Sequence, residues 1–155
     1  MKRAISSVGI AVLAAFFVTS AFASPAVNNT LVISHIVKGC HIWSLNGAKP
    51  AVSQTIKLHR GQVLTIRNTD VMPHQLIKTS GAPVTMKLVA PGATSTGTLK
   101  APYAAGMMPH MSSVLRVSFP KAGTYTLKTA AGEDYMAGVK TVGEDNVLKV
   151  KVVVG

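Results

Sequence analysis

Sulfur and imidazole side chains recur in short clusters along this 155-residue chain. Two Met-Pro-His triplets occur, Met72-Pro73-His74 and Met108-Pro109-His110, and Met111 follows the second one directly. The only cysteine stands in the pair Cys40-His41, and Met136 adds a further sulfur toward the C-terminus. Thiolate and thioether sulfur select Cu(I), whereas imidazole binds copper and zinc alike. These residue types indicate a soft-metal site rather than a calcium or magnesium site.

Copper is favoured over zinc because the methionines offer thioether sulfur, which selects Cu(I). Zinc remains the alternative metal, since cysteine and histidine also suit a tetrahedral structural site. A methionine near a strand end more often fills a gap in a core than binds a metal. Proline, however, fixes its own φ near about −65° and biases the preceding residue toward extended geometry, which presents the flanking Met and His with little conformational freedom. Five of the seven methionines lie in or beside the clusters: Met72, Met107, Met108, Met111 and Met136.

Cys40 and His41 are adjacent in the chain, which restricts how they could bind one metal ion. Adjacent residues of a regular strand face opposite sides, so both can bind one ion only at a bulge or turn. Gly39 permits such an irregularity. A lone cysteine cannot form an internal disulfide, which leaves an intermolecular disulfide, a free buried thiol or a metal thiolate.

The N-terminus predicts export. Lys2 and Arg3 precede an apolar run from Val8 to Val18, and Ala21-Phe22-Ala23 has the small residues of a cleavage site. We interpret residues 1–23 as a signal peptide and residues 24–155 as a single domain, periplasmic or secreted. The mature chain of 132 residues would carry 14 Lys and Arg against 5 Asp and Glu, a net charge of +9. It contains no apolar stretch of the roughly 20 residues that a membrane span requires.

The sequence lacks the patterns of other function classes. Its basic residues are scattered singly and accompanied by few aromatic residues, which argues against nucleic acid as a partner. It has no G-x-S-x-G or H-E-x-x-H motif and no carboxylate pair placed for acid–base work, so we predict that it is not an enzyme. Four carboxylates near the C-terminus are interpreted as solvated or salt-bridged turns: Glu133, Asp134, Glu144 and Asp145.

Short runs with alternating apolar residues predict an all-β sandwich. The predicted strands are 31–37, 55–59, 62–68, 74–77, a weak one at 84–89, 114–119, 124–129 and 147–154. Two hairpins are expected, one around Arg60-Gly61 and one around residues 120–123. His35 and Trp43 are expected in the core and His59 on the surface.

Several of these segments resemble the cupredoxin family. The resemblance lies in Leu64-Thr65-Ile66-Arg67-Asn68, in Pro73-His74 at a strand start, in residues 119–125 and in the loop 132–138. It covers about residues 54–77 and 114–154. It implies a Greek-key β-sandwich with a metal site at one end, and His74 matches the family's first copper-ligand histidine.

The chain departs from the family at the usual thiolate position. Blue-copper members carry a cysteine at the end of the G-T-Y strand, then a histidine and a methionine; here Thr129, Glu133 and Met136 stand there. Threonine cannot supply the thiolate of a His₂Cys centre, which disfavours an ordinary blue-copper electron carrier. The family topology would bring the clusters to one end of the sandwich. The predicted metal ligands are His74, His110, Met111, Cys40, His41, Met72, Met108 and Met136.

The sequence thus favours an exported copper-binding protein that holds or transfers Cu(I), with a copper-donor or copper-acceptor protein as its partner. One alternative is a type-1-like electron-transfer protein that uses the thiolate of Cys40. Another is a metal-free β-sandwich that binds a protein or an anionic surface through its positive charge.

Overall fold

The structure is a computed structural model, and it describes residues 29–35, 41–93, 99, 101–130 and 148–155. Within these ranges the chain forms ten β-strands and no helix. The strands are β1 (Asn29–His35), β2 (His41–Leu45), β3 (Ser53–Leu58), β4 (Val63–Asn68), β5 (His74–Ser80), β6 (Thr85–Ala90), β7 (Met107–Met108), β8 (Val114–Ser118), β9 (Gly123–Ala130) and β10 (Lys149–Val154).

The strands form two five-stranded sheets, which confirms the predicted all-β sandwich. Sheet A has the order β2-β1-β4-β8-β6, and sheet B has the order β3-β10-β9-β5-β7. From β3 to β9, successive strands alternate between the two sheets. Each sheet contains one parallel pair, β1 with β4 and β3 with β10, and its other pairs are antiparallel.

Both predicted hairpins are wrong. β3 and β4 lie in different sheets, and so do β8 and β9, so each turn carries the chain across the edge of the sandwich. The alternating pattern of these runs specifies which side chains are buried, and two amphipathic strands can bury them equally well face to face as side by side.

The core lies between the sheets and follows the alternation of each strand. In β4, Leu64 and Ile66 are fully buried while Arg67 is exposed, and β9 buries Tyr125 and Leu127 in the same way. Full burial of such a side chain contributes about 1.5–3 kcal/mol. Trp43 is fully buried among these residues, as expected.

His35 is exposed, contrary to the expectation that it points into the core. β1 pairs with β4 only as far as Ile33 opposite Asn68, so His35 lies beyond the part of β1 that β4 covers. His59 is exposed, as predicted. The weak strand at 84–89 is confirmed as β6, whereas β2 and β7 were not predicted. In the described parts of the chain, no helix is long and apolar enough to cross a membrane.

Candidate metal centre

Several strand ends meet at one end of the sandwich, which we call the site pole. β1 ends and β2 begins there, with His35 opposite His41. β4 ends at Asn68, and β5 begins at His74. Met108 of β7 lies opposite His74 in the antiparallel pair of β5 and β7. The topology therefore brings both Met-Pro-His triplets to the same place.

Asn68 holds the two triplets together. Its backbone N–H donates to the carbonyl of Ser113 (2.9 Å), and its carbonyl accepts from the N–H of Ser112 (2.7 Å). Its side-chain Nδ2 donates to the carbonyl of Met72 (2.8 Å) and is 3.3 Å from the carbonyl of His110. Asn68 is fully buried, and through these two carbonyls its side chain joins the loop before β5 to the loop before β8.

Asp70 orients His74. Its backbone N–H donates to Oδ1 of Asn68 (3.0 Å), and its own Oδ1 accepts from the N–H of Met72 (3.1 Å). Its Oδ2 lies 3.2 Å from Nε2 of His74, and both residues are fully buried. A carboxylate at one ring nitrogen fixes the tautomer and orientation of an imidazole that binds metal through the other. This contact orients the His74 ring so that a metal bound by His74 would meet Nδ1.

His110 is held in a similar way by a hydroxyl group. Its Nε2 lies 3.4 Å from the hydroxyl of Tyr103, and the two rings make an edge contact with centroids 6.2 Å apart. Its backbone N–H donates to Oγ of Ser113, which donates to the carbonyl of Pro91. Its Nδ1 is buried and has no hydrogen-bond partner among the described residues. An unpaired buried nitrogen costs about 1–3 kcal/mol, and a bound ion would remove that cost.

The methionines of the site pole differ in their surroundings. Met72 is 8% exposed, and Met107 and Met108 are more deeply buried. Residues opposite each other in a sheet share a face, so the side chain of Met108 lies on the same inner face as that of His74. Met108 also belongs to the main hydrophobic core. Met111, by contrast, is 41% exposed.

Three predicted ligands are not positioned by these observations. Cys40 and Met136 lie outside the described residues, and so does Glu133. For His41 the structure describes the backbone, in β2, and not the side chain. Their participation stays a prediction.

Thr129, which the sequence resemblance aligns with a thiolate ligand, has a structural role. It is buried, and its Oγ1 accepts from the backbone N–H of Leu148 (3.2 Å). Its own N–H donates to the carbonyl of Leu148 (2.9 Å). The hydroxyl thus fastens the residue before β10 to β9.

The described residues contain no group of three His, Cys, Asp or Glu side chains that could hold a metal ion. A centre built from them would therefore combine the two histidines with methionine sulfur. Further ligands would have to come from side chains that the structure does not describe, such as those of Cys40, His41 and Met136.

Sequence reasoning missed the residues that hold the histidines. Asn68, Asp70, Tyr103 and Ser113 were not among the predicted site residues. The Asn-x-Asp spacing just before Pro73-His74 was a usable signal, because Asn and Asp side chains bond to backbone N–H groups two residues ahead. Nothing local to Tyr103 indicates its contact with His110.

The similarities of this chain to known proteins are remote. No protein-family model and no curated protein matches this chain. Amicyanin from Paracoccus versutus is 14% identical with a TM-score of 0.40, covering 86% of this chain and 86% of amicyanin. A purple cupredoxin from Nitrosopumilus maritimus is 14% identical with a TM-score of 0.39, covering 81% and 99% of the two chains. A cysteine protease inhibitor from Entamoeba histolytica is 15% identical, also at 0.39, covering 66% and 85%. Because cupredoxins and a protease inhibitor score alike, these similarities do not identify a ligand or an activity.

Proposed function

We propose that this protein binds copper at the site pole and holds or transfers Cu(I) after export from the cytoplasm. The observation that supports this most directly is the pair of buried histidines, each with Nε2 facing an oxygen partner, Asp70 or Tyr103. His74 and His110 would bind through Nδ1. Sulfur would come from Met72, Met108 or Met111, and Cys40, His41 and Met136 complete the proposed set.

The donor chemistry of the described residues fits copper. The two imidazoles and the nearby thioethers are borderline and soft donors, which match Cu(I) better than a hard cation. Asp70 has the single acidic side chain among the described residues, and its two oxygens face His74 and the Met72 N–H. A calcium or magnesium site needs several oxygen donors. Zinc stays the alternative, favoured only if Cys40 and His41 contribute.

Copper, when bound, supplies a one-electron redox couple; the protein's part is to position and shield it. Asn68 and Asp70 fix the loop that carries His74. Burial of both histidines excludes bulk water. Met111, the most exposed of the described methionines at the site pole, is the ligand that a copper-donor or copper-acceptor protein would reach first.

Anaerobic titration with Cu(I) against a competing chelator tests the proposal. We expect near-stoichiometric tight binding that weakens at least about 10-fold in His74→Ala, since a chelate ligand is lost. The matched control is His59→Ala, which removes an exposed histidine and should leave affinity unchanged. Micromolar or weaker binding that His74→Ala does not alter would rule the proposal out.

Two further measurements test the type-1-like alternative and the predicted export. A visible thiolate-to-copper band in the Cu(II) protein that disappears in Cys40→Ser would assign the type-1-like alternative instead. Protein isolated from its native cells should begin at Ser24 if the signal peptide is cleaved as predicted.

A further inference from the structure

The outer face of sheet B carries a group of lysines that the copper proposal does not use. Lys149 and Lys151 of β10 are both exposed and lie on the side of the sheet opposite the buried Val150. Lys57 of β3 is exposed on the same outer face, and Lys128 of β9 is half-buried there. We call these four residues the lysine face.

The strand register brings these positive charges close together. Lys149 lies directly opposite Lys128 in the antiparallel pair of β9 and β10. Such residues have Cβ atoms about 4.5–5.5 Å apart, and like charges in that position destabilise a sheet. Lys57 lies opposite Val153, two residues along β10 from Lys151. The face therefore concentrates charge at some cost to the fold.

No described residue places an acidic side chain on this face. The single acidic side chain of the described residues, that of Asp70, is fully buried beside His74 at the site pole. Protection of a sheet edge is a common reason for lysine on a strand, and it accounts for Lys57 on the edge strand β3. It does not account for the lysines of β9 and β10, which are interior strands of sheet B.

We propose that the lysine face docks this protein on a membrane surface rich in anionic phospholipid. The four lysines spread over three adjacent strands, about 10 Å across and about 13 Å along β10. Such a two-dimensional array fits a plane of separate phosphates better than the single line of a polyanion. Lysine acts as a point charge without the fixed fork of arginine, which suits mobile headgroups. This surface is independent of any metal.

Sedimentation with vesicles tests the proposal. Phosphatidylglycerol–phosphatidylcholine vesicles should bind the protein, with affinity that falls as salt rises, whereas pure phosphatidylcholine vesicles should not. Each lysine near an anionic surface strengthens binding about 5-fold, so the double variant Lys149→Gln/Lys151→Gln should weaken it about 30-fold. All variants share the same N-terminus, so any contribution of its apolar residues to vesicle binding cancels when variants are compared.

A matched variant on the other sheet separates the face from the net charge. Lys87→Gln/Arg116→Gln removes the same charge from the outer face of sheet A, where the two residues also lie opposite each other. It should weaken binding less than about 3-fold, and circular dichroism should show both variants folded. Equal losses in the two variants would overturn the proposal, and so would no salt-sensitive binding. Equally tight binding to soluble polyphosphate would assign the face to a linear polyanion instead.

Discussion

Replacing Asp70 with asparagine tests how the carboxylate positions His74. Asparagine has nearly the same shape and keeps an Oδ1 that can accept from the Met72 N–H. Its Nδ2 group, however, replaces the oxygen that lies 3.2 Å from Nε2 of His74. An amide NH₂ group cannot accept a hydrogen bond from Nε2–H. The neutral ring therefore carries its proton on Nδ1 instead, where the proton competes with a metal.

The expected size of the effect follows from the two contacts. Loss of a partner that orients a histidine ligand costs about 10–100-fold in metal affinity, which is about 1.4–2.7 kcal/mol. Loss of a charged hydrogen bond lowers the free energy of unfolding by about 1–3 kcal/mol, and removal of a buried charge offsets part of this. Copper affinity should therefore fall while the apoprotein stays folded.

Competitive Cu(I) titration and ¹⁵N NMR of the His74 ring measure both consequences. Leu58→Ala is the control for simple destabilisation, because Leu58 is a buried residue at the end of β3 distant from the site pole. It should lower stability and leave copper affinity within about 2-fold. The reasoning fails if Asp70→Asn binds Cu(I) with unchanged affinity and Nε2 of His74 stays protonated, because the carboxylate then does not position the ring.

Two further predictions concern the scaffold. Gly106→Ala should lower the free energy of unfolding by about 2–5 kcal/mol, because a Cβ at φ +79° would overlap the carbonyl oxygen of Leu76. Gly47→Ala, at φ +76° with nothing within 4 Å, should cost about 1–2 kcal/mol. Chemical denaturation measures both, and equal losses would mean that the contact at β5 is not limiting. Leu58→Ala should cost about 2–5 kcal/mol by the same assay. Val89→Ala, at a residue 46% exposed, should change stability by less than about 0.5 kcal/mol; a similar loss in these two variants would contradict the assigned core.

Much of the secondary structure could be predicted because strand burial is a local property. Leu64 and Ile66, or Tyr125 and Leu127, alternate with polar residues, and each pair is buried as expected. The pairing of the strands could not be predicted in this way. The turn at Arg60-Gly61 is equally compatible with a hairpin and with a crossing between sheets, and only the packing of all ten strands selects the crossing.

The candidate site shows the same division. The two Met-Pro-His triplets could be identified from the sequence as candidate metal ligands. His74 was expected at the start of its strand, where it lies. The contacts that orient the rings were not visible. Tyr103 meets His110 only because residues 101–113 fold back against β5, and Asn68 joins two carbonyls that are 38 residues apart in the chain.

The sequence by itself determined the residue types available for chemistry and the side of each strand that faces the core. Both are properties of single residues and of a two-residue period, which neighbouring residues alone can specify. The tertiary structure decided which strands pair, which histidine nitrogen is held, and which lysines stand opposite each other. Those outcomes depend on contacts between segments far apart in the chain, and such contacts form only when the apolar faces of both sheets are buried together.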